Sequence, residues 1–378
     1  MPPIWDINLR HLRALSVVAR LGSISAAAQA VSISQPAITQ AIAKLEAQCG
    51  LPFFERQPRG MVATEAGLIF AQRVDTALRQ VGSAKVTATQ MRALIALADH
   101  GSYPAASAAT GLAQPSLHRA INDLSLVLRR TLTERRGRGI ALTEDGRRIV
   151  RAFRLARGEL ETGLAELAGL LGRETGRIVI GAMPLSRARI LPTALATFHH
   201  EHPDVVIEVL EGAFHDLIEP LRDGAIDLMI GALRDPSPGP DIEQHTLFAD
   251  RPVVIGRKGH PLSSPTIEEL ARYPWIVPTR GTPLRKAWER MFAGIDPLPR
   301  VPIECGSAMV IRQLLIGSDF LTLLSPDQVA VELEAEWLAM LAETPPDLTR
   351  VIGMTCRAGW RPTVVQSRFI RILCQQAG

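Results

Sequence analysis

Gln35, Thr39, Gln40 and Lys44 lie off the apolar face of one short helical pattern, Ser34 to Gly50. Two amides, a hydroxyl and a cation are the groups that hydrogen-bond base edges and neutralise phosphate. The residues around them supply the helix that must hold them. Ser34 can cap the first turn, where its side-chain oxygen takes an orphan backbone N–H. Pro36 sits in that turn, where a missing N–H costs nothing. Ile38, Ile42 and Leu45 recur at helical spacing and form the buried side.

The flanking segments complete a helix-turn-helix. Ser23 can cap a preceding helix, Ile24 to Val31, whose Ala26, Ala27, Ala28 and Ala30 allow another helix to cross closely. Ser32 and Ile33 make the turn. Leu12, Leu15, Val18 and Ala19 give a supporting helix before it. Beyond Gly50, Phe53 and Phe54 read as core. Arg56, Pro58, Arg59 and Gly60 read as the tip of a β-hairpin wing, and Thr64-Glu65 starts the next helix. The S-Q-P-A, L-E, F-x-R and T-x-A-G elements, in that order and spacing over 9–67, resemble the winged helix-turn-helix of LysR-type transcriptional regulators.

This segment then recurs. At an offset of 79 (92 − 13) the chain aligns with itself without a gap, and 21 of the 55 positions from 13 to 67 are identical. Gln35-Pro36 matches Gln114-Pro115, Glu55-Arg56 matches Glu134-Arg135, and Thr64-Glu65-x-Gly67 matches Thr143-Glu144-x-Gly146. Two winged units in tandem are expected, over 9–67 and 89–146, joined by a helix over 68–88. The usual member of the resembled family has one. The second copy has Ala113 in place of the capping Ser34, and Leu132-Thr133 in place of Phe53-Phe54. It still carries Gln114, Ser116, His118 and Arg119 on its candidate reading helix and Arg135, Arg136 and Arg138 on its wing. It can be read as a second DNA contact or as a spacer; the wing arginines favour contact, since they supply phosphate affinity without base readout.

Charge agrees with this polarity. Residues 1–172 hold 21 Lys+Arg against 13 Asp+Glu, net +8; residues 173–378 hold 21 against 25, net −4. A basic front and an acidic back point to nucleic acid at the front. No apolar run of membrane-spanning length exists, and the first residues lack an apolar signal core, so a cytoplasmic protein is expected. The four cysteines form no C-x-x-C pair, and neither a metal site nor a disulfide framework is expected.

After the second copy, Ile149, Phe153, Ala156, Leu160, Gly163, Leu167 and Leu170 alternate in steps of four and three. That heptad seam, in a linker helix over 147–175, predicts pairing with a partner helix. In the resembled family the equivalent helix pairs two chains, which implies a homodimer and possible homotetramer. A hinge follows at Gly172 to Gly176. From 176 to 378 the pattern alternates strands with helices, as in parallel sheets covered on both faces. A second lobe is expected over about 257–345. G-R-I-V-I-G, H-P-D-V, L-R-D-G-A-I-D-L, G-H-P-L and Y-P-W-I-V-P are similar to the LysR-type effector domain. The expected fold is therefore a tandem pair of winged helix-turn-helices, a linker helix, and a two-lobed α/β domain like periplasmic binding proteins.

The resemblance implies a small-molecule effector between the lobes. In such sheets ligands sit beyond the carboxyl ends of strands, which singles out Ser186, Arg187, Thr279, Arg280 and Ser307. Hydroxyls and guanidinium groups there suit a polar or anionic effector; plain capping and solvation are their alternatives. No metalloprotease, nucleophile-elbow or phosphate-loop motif is present, so no catalytic residue and no cofactor is assigned. The reading is a regulator that binds double-stranded DNA through Ser34, Gln35, Pro36, Thr39, Gln40, Lys44, Arg56 and Arg59, with Gln114, Arg119, Arg135 and Arg138 from the second copy. The alternative is a small-molecule-binding protein whose helical front serves assembly alone.

Overall fold

The computed structural model describes residues 1–58, 60–137, 139–173 and 176–377. Arg59 and Arg138, expected at the wing tips, and Glu174 and Thr175 of the expected hinge lie outside the described residues. The chain divides into two compact units, Met1–Gly176 and Arg177–Gly378. Among the described residues no helix is long and apolar enough to cross a membrane.

The first unit repeats one arrangement. The first copy runs α1 (Leu9–Leu21), α2 (Ile24–Val31), α3 (Gln35–Cys49), a wing of β1 (Phe54–Gln57) and β2 (Gly60–Ala63), and α4 (Glu65–Val81). The second runs α5 (Ala88–His100), α6 (Tyr103–Thr110), α7 (Gln114–Leu128), a wing of β3 (Thr133–Arg136) and β4 (Gly139–Leu142), and α8 (Glu144–Leu170). Caps decide the boundaries. The Ser23, Ser34 and Thr64 side chains each accept a first-turn N–H, and Gly22, Gly50 and Gly82 end α1, α3 and α4 in the left-handed region.

The repeated T-E-x-G signature has a steric cause. A Cβ on Gly67 would lie 2.0 Å from the Phe53 carbonyl oxygen, and one on Gly146 would lie 2.1 Å from that of Leu132. Thr64 and Thr143 fix the same crossing, donating their hydroxyls to Pro52 and Thr131 carbonyls at 2.7 and 2.6 Å. The L-E element also has a cause in the first copy. Glu46 Oε1 accepts the N–H groups of Phe53 at 2.7 Å and Phe54 at 3.3 Å, tying the wing's entry to α3. Ser125 takes this place in the second copy, and its hydroxyl bonds back to Ile121 within α7 instead.

Both copies share one core, which runs from Ile7 through Phe53, Phe70, Leu94 and Leu117 to Leu167. The joint within it is α4 against α8. The α8 seam, expected to pair two chains, packs here against a helix of its own chain. Phe153, Ala156, Leu160, Gly163 and Leu167 are buried, packed in the same core as Phe70, Val74 and Ala77 of α4. A heptad seam reports that a partner helix exists, and here a helix of the same chain fills that place. Gly163 makes the crossing close: a Cβ there would lie 2.9 Å from the Phe70 ring. Across the joint, Arg73, almost fully buried, bonds Glu166 at 2.6 and 3.0 Å and Glu159 at 3.3 Å. Burial alone would lower the Arg73 pKa, but the two carboxylates offset it and the net shift is upward.

The second unit holds two five-stranded sheets. Its elements are β5 (Arg177–Ala182), α9 (Ile190–Glu201), β6 (Val206–Glu211), α10 (Phe214–Arg222), β7 (Leu228–Ala232), β8 (Ile242–Asp250) and β9 (Val253–Arg257). They continue with α11 (Ile267–Ala271), β10 (Trp275–Val277), α12 (Pro283–Met291), β11 (Ile303–Glu304), α13 (Ala308–Ile316), β12 (Leu321–Leu324), α14 (Ala330–Glu334), β13 (Leu338–Glu343), β14 (Arg350–Arg357) and α15 (Val364–Ala377). The first sheet has order β6-β5-β7-β14-β8 and the second β11-β10-β12-β9-β13. In each, three strands are parallel and two more add antiparallel. The sheets are thus mixed rather than purely parallel. The second sheet begins at Val253, earlier than the boundary expected near 257.

Two crossovers join the lobes, at 251–252 and 344–349. They are tied side by side: Arg251 donates to the Thr344 carbonyl at 2.8 Å, and the Thr344 hydroxyl donates to the Pro252 carbonyl at 2.6 Å. Arg350 and Asp250 close a buried ion pair at 2.6 Å beside them.

Removing one member of a buried ion-pair set strands its partners in low dielectric. Arg73→Ala should therefore destabilise the helical unit by about 3 kcal/mol, the low end of the range because both glutamates keep some solvent. A urea melt followed by the helical signal checks this; an unmoved midpoint would mean that apolar packing alone holds the α4–α8 joint.

Candidate nucleic-acid interface and effector cleft

In the first copy Gln35, Pro36, Thr39, Gln40, Ala43 and Lys44 are all exposed, while Ile38, Ala41, Ile42 and Leu45 are buried. The apolar face is spent on the core, so the polar face is what α3 presents. Ser34 Oγ accepts the Ala37 N–H at 3.4 Å, which leaves its hydroxyl proton available as a donor. The Thr39 hydroxyl donates to the Gln35 carbonyl at 3.1 Å; what it offers outward is a lone pair and a methyl. Arg56 stands exposed on β1. The wing is held against the α1–α2 turn by the Met61 N–H donating to the Gly22 carbonyl at 2.9 Å.

The second copy presents an equivalent face. Gln114, Ser116, His118, Arg119 and Asp123 are exposed on α7, and Arg135 and Arg136 on β3. Ala113 offers no side-chain cap, as its chemistry requires. His118 stacks on Tyr103 with ring centroids 3.6 Å apart, so it is held against α6 rather than extended.

In the two-lobed unit the expected effector residues divide. Ser186 is fully buried, and its hydroxyl donates to the Met183 carbonyl at 2.8 Å; it shapes the loop after β5 instead of facing a ligand. Arg187 is ion-paired with Glu211. Both were expected to reach the effector; the Ser186 hydroxyl is bonded inside the lobe, while Arg187 keeps 31% of its side chain exposed beside its one carboxylate partner. Thr279, Arg280 and Ser307 are exposed at the carboxyl ends of β10 and β11. Ser307 makes no capping bond to α13. Arg189, after β5, meets Asp327, after β12, at 3.3 Å. The carboxyl ends of the two parallel strand sets therefore lie on facing sides of the lobe junction.

Arg234 is a residue that the sequence reading passed over. It follows β7, the third parallel strand of the first lobe, and its guanidinium carbon lies 4.5 Å from the centroid of Phe214, the first residue of α10. Its backbone is clamped on both sides by the Gln244 amide, at 2.8 and 2.9 Å. Yet its Nη1 is buried and bonds nothing among the described residues. Burial without a counter-charge pushes its pKa down. The signal was legible as an arginine at the carboxyl end of a parallel strand, β7, which lies between β5 and β14.

One group could hold a metal ion. Glu243 and His245 on β8 and Cys356 on β14 bring their ligand atoms within 4.8 Å of one another. Their separation in sequence hid them. Burial, with Glu243 adding to it, pushes the Cys356 thiol up to about 11, so it is a protonated thiol at neutral pH.

Residues 171–378 match the LysR substrate binding domain, and residues 9–68 and 88–147 each match the bacterial regulatory helix-turn-helix of the lysR family. The HTH-type transcriptional regulator GalR of Pseudomonas putida is 33% identical over 368 residues, 93% of each chain. The SDS degradation transcriptional activation protein of a Pseudomonas strain is 32% identical over 280 residues, covering 71% of this chain and 90% of that protein. Among solved structures, ArgP from Mycobacterium tuberculosis superposes with a TM-score of 0.60 at 16% identity, over 76% of this chain and 96% of that one. The full-length regulator LysG of Corynebacterium glutamicum with bound effector Arg gives 0.56 at 19% identity over the same shares, and both speak to the fold alone. The chain belongs to the LysR family: it is a DNA-binding transcriptional regulator with a C-terminal effector-binding domain, and its relatives are regulators rather than enzymes.

Proposed function

We propose that α3 reads base edges with Gln35, Thr39 and Gln40, while Ser34, Lys44, Arg56 and Arg59 contact phosphate and Pro36 seats the helix end. The exposed polar row on a helix whose other face is spent in the core supports this reading. The effector is an anionic small molecule, a carboxylate or phosphate. Arg234 supplies its counter-charge, and Thr279, Arg280 and Ser307 supply contacts from the facing lobe. The observation that carries this choice is the buried, unbonded Nη1 of Arg234. A half-buried guanidinium with no carboxylate beside it among the described residues gains most from an anion that brings two acceptor oxygens. Ser186 and Arg187 serve by shaping the loop after β5.

Lobe motion follows from the same geometry. The Arg189–Asp327 pair is exposed, and exposed pairs contribute little. An effector bridging Arg234 and the second lobe would outweigh it and favour one lobe arrangement over another. Family members act as oligomers, and a changed lobe arrangement would alter how chains assemble on DNA.

Two measurements test these assignments. Gln35→Ala with Thr39→Ala should abolish a specific footprint while leaving salt-sensitive non-specific binding; an unchanged footprint would remove α3 from base readout. A thermal-shift panel of small carboxylates, sugar phosphates and neutral sugars addresses the effector. A bound anion at a hundredfold excess over its Kd stabilises by about 2.7 kcal/mol, and Arg234→Gln should erase that shift without affecting DNA binding. Equal stabilisation of both proteins by a neutral sugar would overturn the anionic reading.

A further inference from the structure

We infer that one chain reads a single asymmetric operator, with α3 and α7 recognising two unlike half-sites at a fixed spacing. The inference rests on the DNA-binding reading of α3 and extends it to α7 and to the joint between the copies. Three observations carry it.

The first is equivalence of presentation. The four polar positions exposed on α3 are exposed on α7 as well, Gln114 for Gln35, His118 for Thr39, Arg119 for Gln40 and Asp123 for Lys44, with His118 stacked on Tyr103. Pro115 repeats Pro36 in the first turn. Leu117, Ile121 and Leu124 keep the same buried side as Ile38, Ile42 and Leu45. A copy kept only as a spacer has no need of an uncovered polar helix face beside an arginine-bearing hairpin.

The second is rigidity. The two copies are not beads on a flexible tether. They share one continuous core, closed by the α4–α8 joint and its Arg73–Glu159–Glu166 set. The short helix Ile4–Asp6, ahead of the first copy, leads into Ile7, a buried member of the same core. Two reading helices in one core have a set separation and phase. Paired readers of that kind recognise paired half-sites, and the symmetry of the DNA mirrors that of the protein. Here the protein lacks that symmetry, because its two readers differ in side chains.

The third is the chemistry of the difference. Glutamine pairs with adenine through N6 and N7, so Gln35 and Gln40 direct α3 to an A·T pair. Arginine pairs with guanine through O6 and N7, and a carboxylate accepts from cytosine N4, so Arg119 and Asp123 direct α7 to G·C pairs. Exchange of Lys44 for Asp123 also removes a cation from α7. Phosphate affinity in that half then falls to Arg135 and Arg136 of the wing. Helix α7 begins without a side-chain cap and the second copy lacks the Glu46 clamp, so it contributes less affinity than the first.

Selection of bound duplexes from a randomised pool by the full chain tests the inference, repeated with Gln40→Ala and with Arg119→Ala. Both side chains are exposed, and retained salt-sensitive non-specific binding reports that each variant is folded. The expected result is a consensus of two dissimilar halves at constant separation. Each substitution should weaken binding about tenfold or more and relax base preference in one half only, Arg119→Ala in the G·C half. Two identical inverted halves, both altered by Gln40→Ala, would overturn it, because the readers would then be first copies from two chains. A single block indifferent to Arg119→Ala would overturn it too while leaving α3 a reader. Failure to enrich any sequence would remove the DNA assignment of α3 itself.

Discussion

The helical half of this protein depends on the contact between α4 and α8. Each of these helices closes one winged copy, and each has an apolar stripe too wide for its own copy to cover. Packed on each other, they convert two small domains, marginal by themselves, into one core. Gly163 allows the close approach to Phe70, and Arg73 stitches the crossing to two carboxylates. A buried ion set of this kind adds little net stability compared with apolar residues of the same volume. It does penalise any other register, since a slip would leave one guanidinium and two carboxylates without partners. The joint therefore fixes geometry more than it adds strength.

The effector half is built on a different constraint, a sheet topology repeated in two lobes. Three parallel strands in each lobe carry their carboxyl ends to the lobe junction, and the strands that complete both sheets in antiparallel pairing are the ones joined by the crossovers. The chain passes between lobes twice, and the passages are bonded to each other through Arg251, Thr344 and Pro252. The two passages are thereby held side by side rather than as independent tethers.

Much of this was legible in the sequence, for identifiable reasons. The boundaries of α1, α2, α3 and α4 follow from Ser, Thr and Gly caps whose chemistry is local. The repeat was legible because its glycines and threonines answer to backbone crossings that admit no substitute. What escaped notice depended on tertiary context. Strands β8 and β13 lie at sheet edges, where polar residues such as Glu243, Gln244 and His245 break the apolar signal. The α8 heptad announced a partner helix but not whether it came from the same chain. Ser186 and Arg187 lie at the expected strand end, but sequence cannot show that Met183 and Glu211 already use their polar groups. Arg234 stands out because its buried Nη1 bonds nothing among the described residues, and only the packed structure reveals that.

The offset of 79 residues between unequal copies has a consequence for how such a protein can change. Where a head is assembled from two identical chains, a mutation in the reading helix appears in both halves at once, and a target must change in two places to follow it. Two copies on one chain separate those events. Gln40 and Arg119 descend from one position yet answer to different neighbours, so either can drift while the other keeps the protein on its site. The uncapped start of α7 and the thinner core of the second copy fit that freedom: a unit held in place by its twin tolerates such losses.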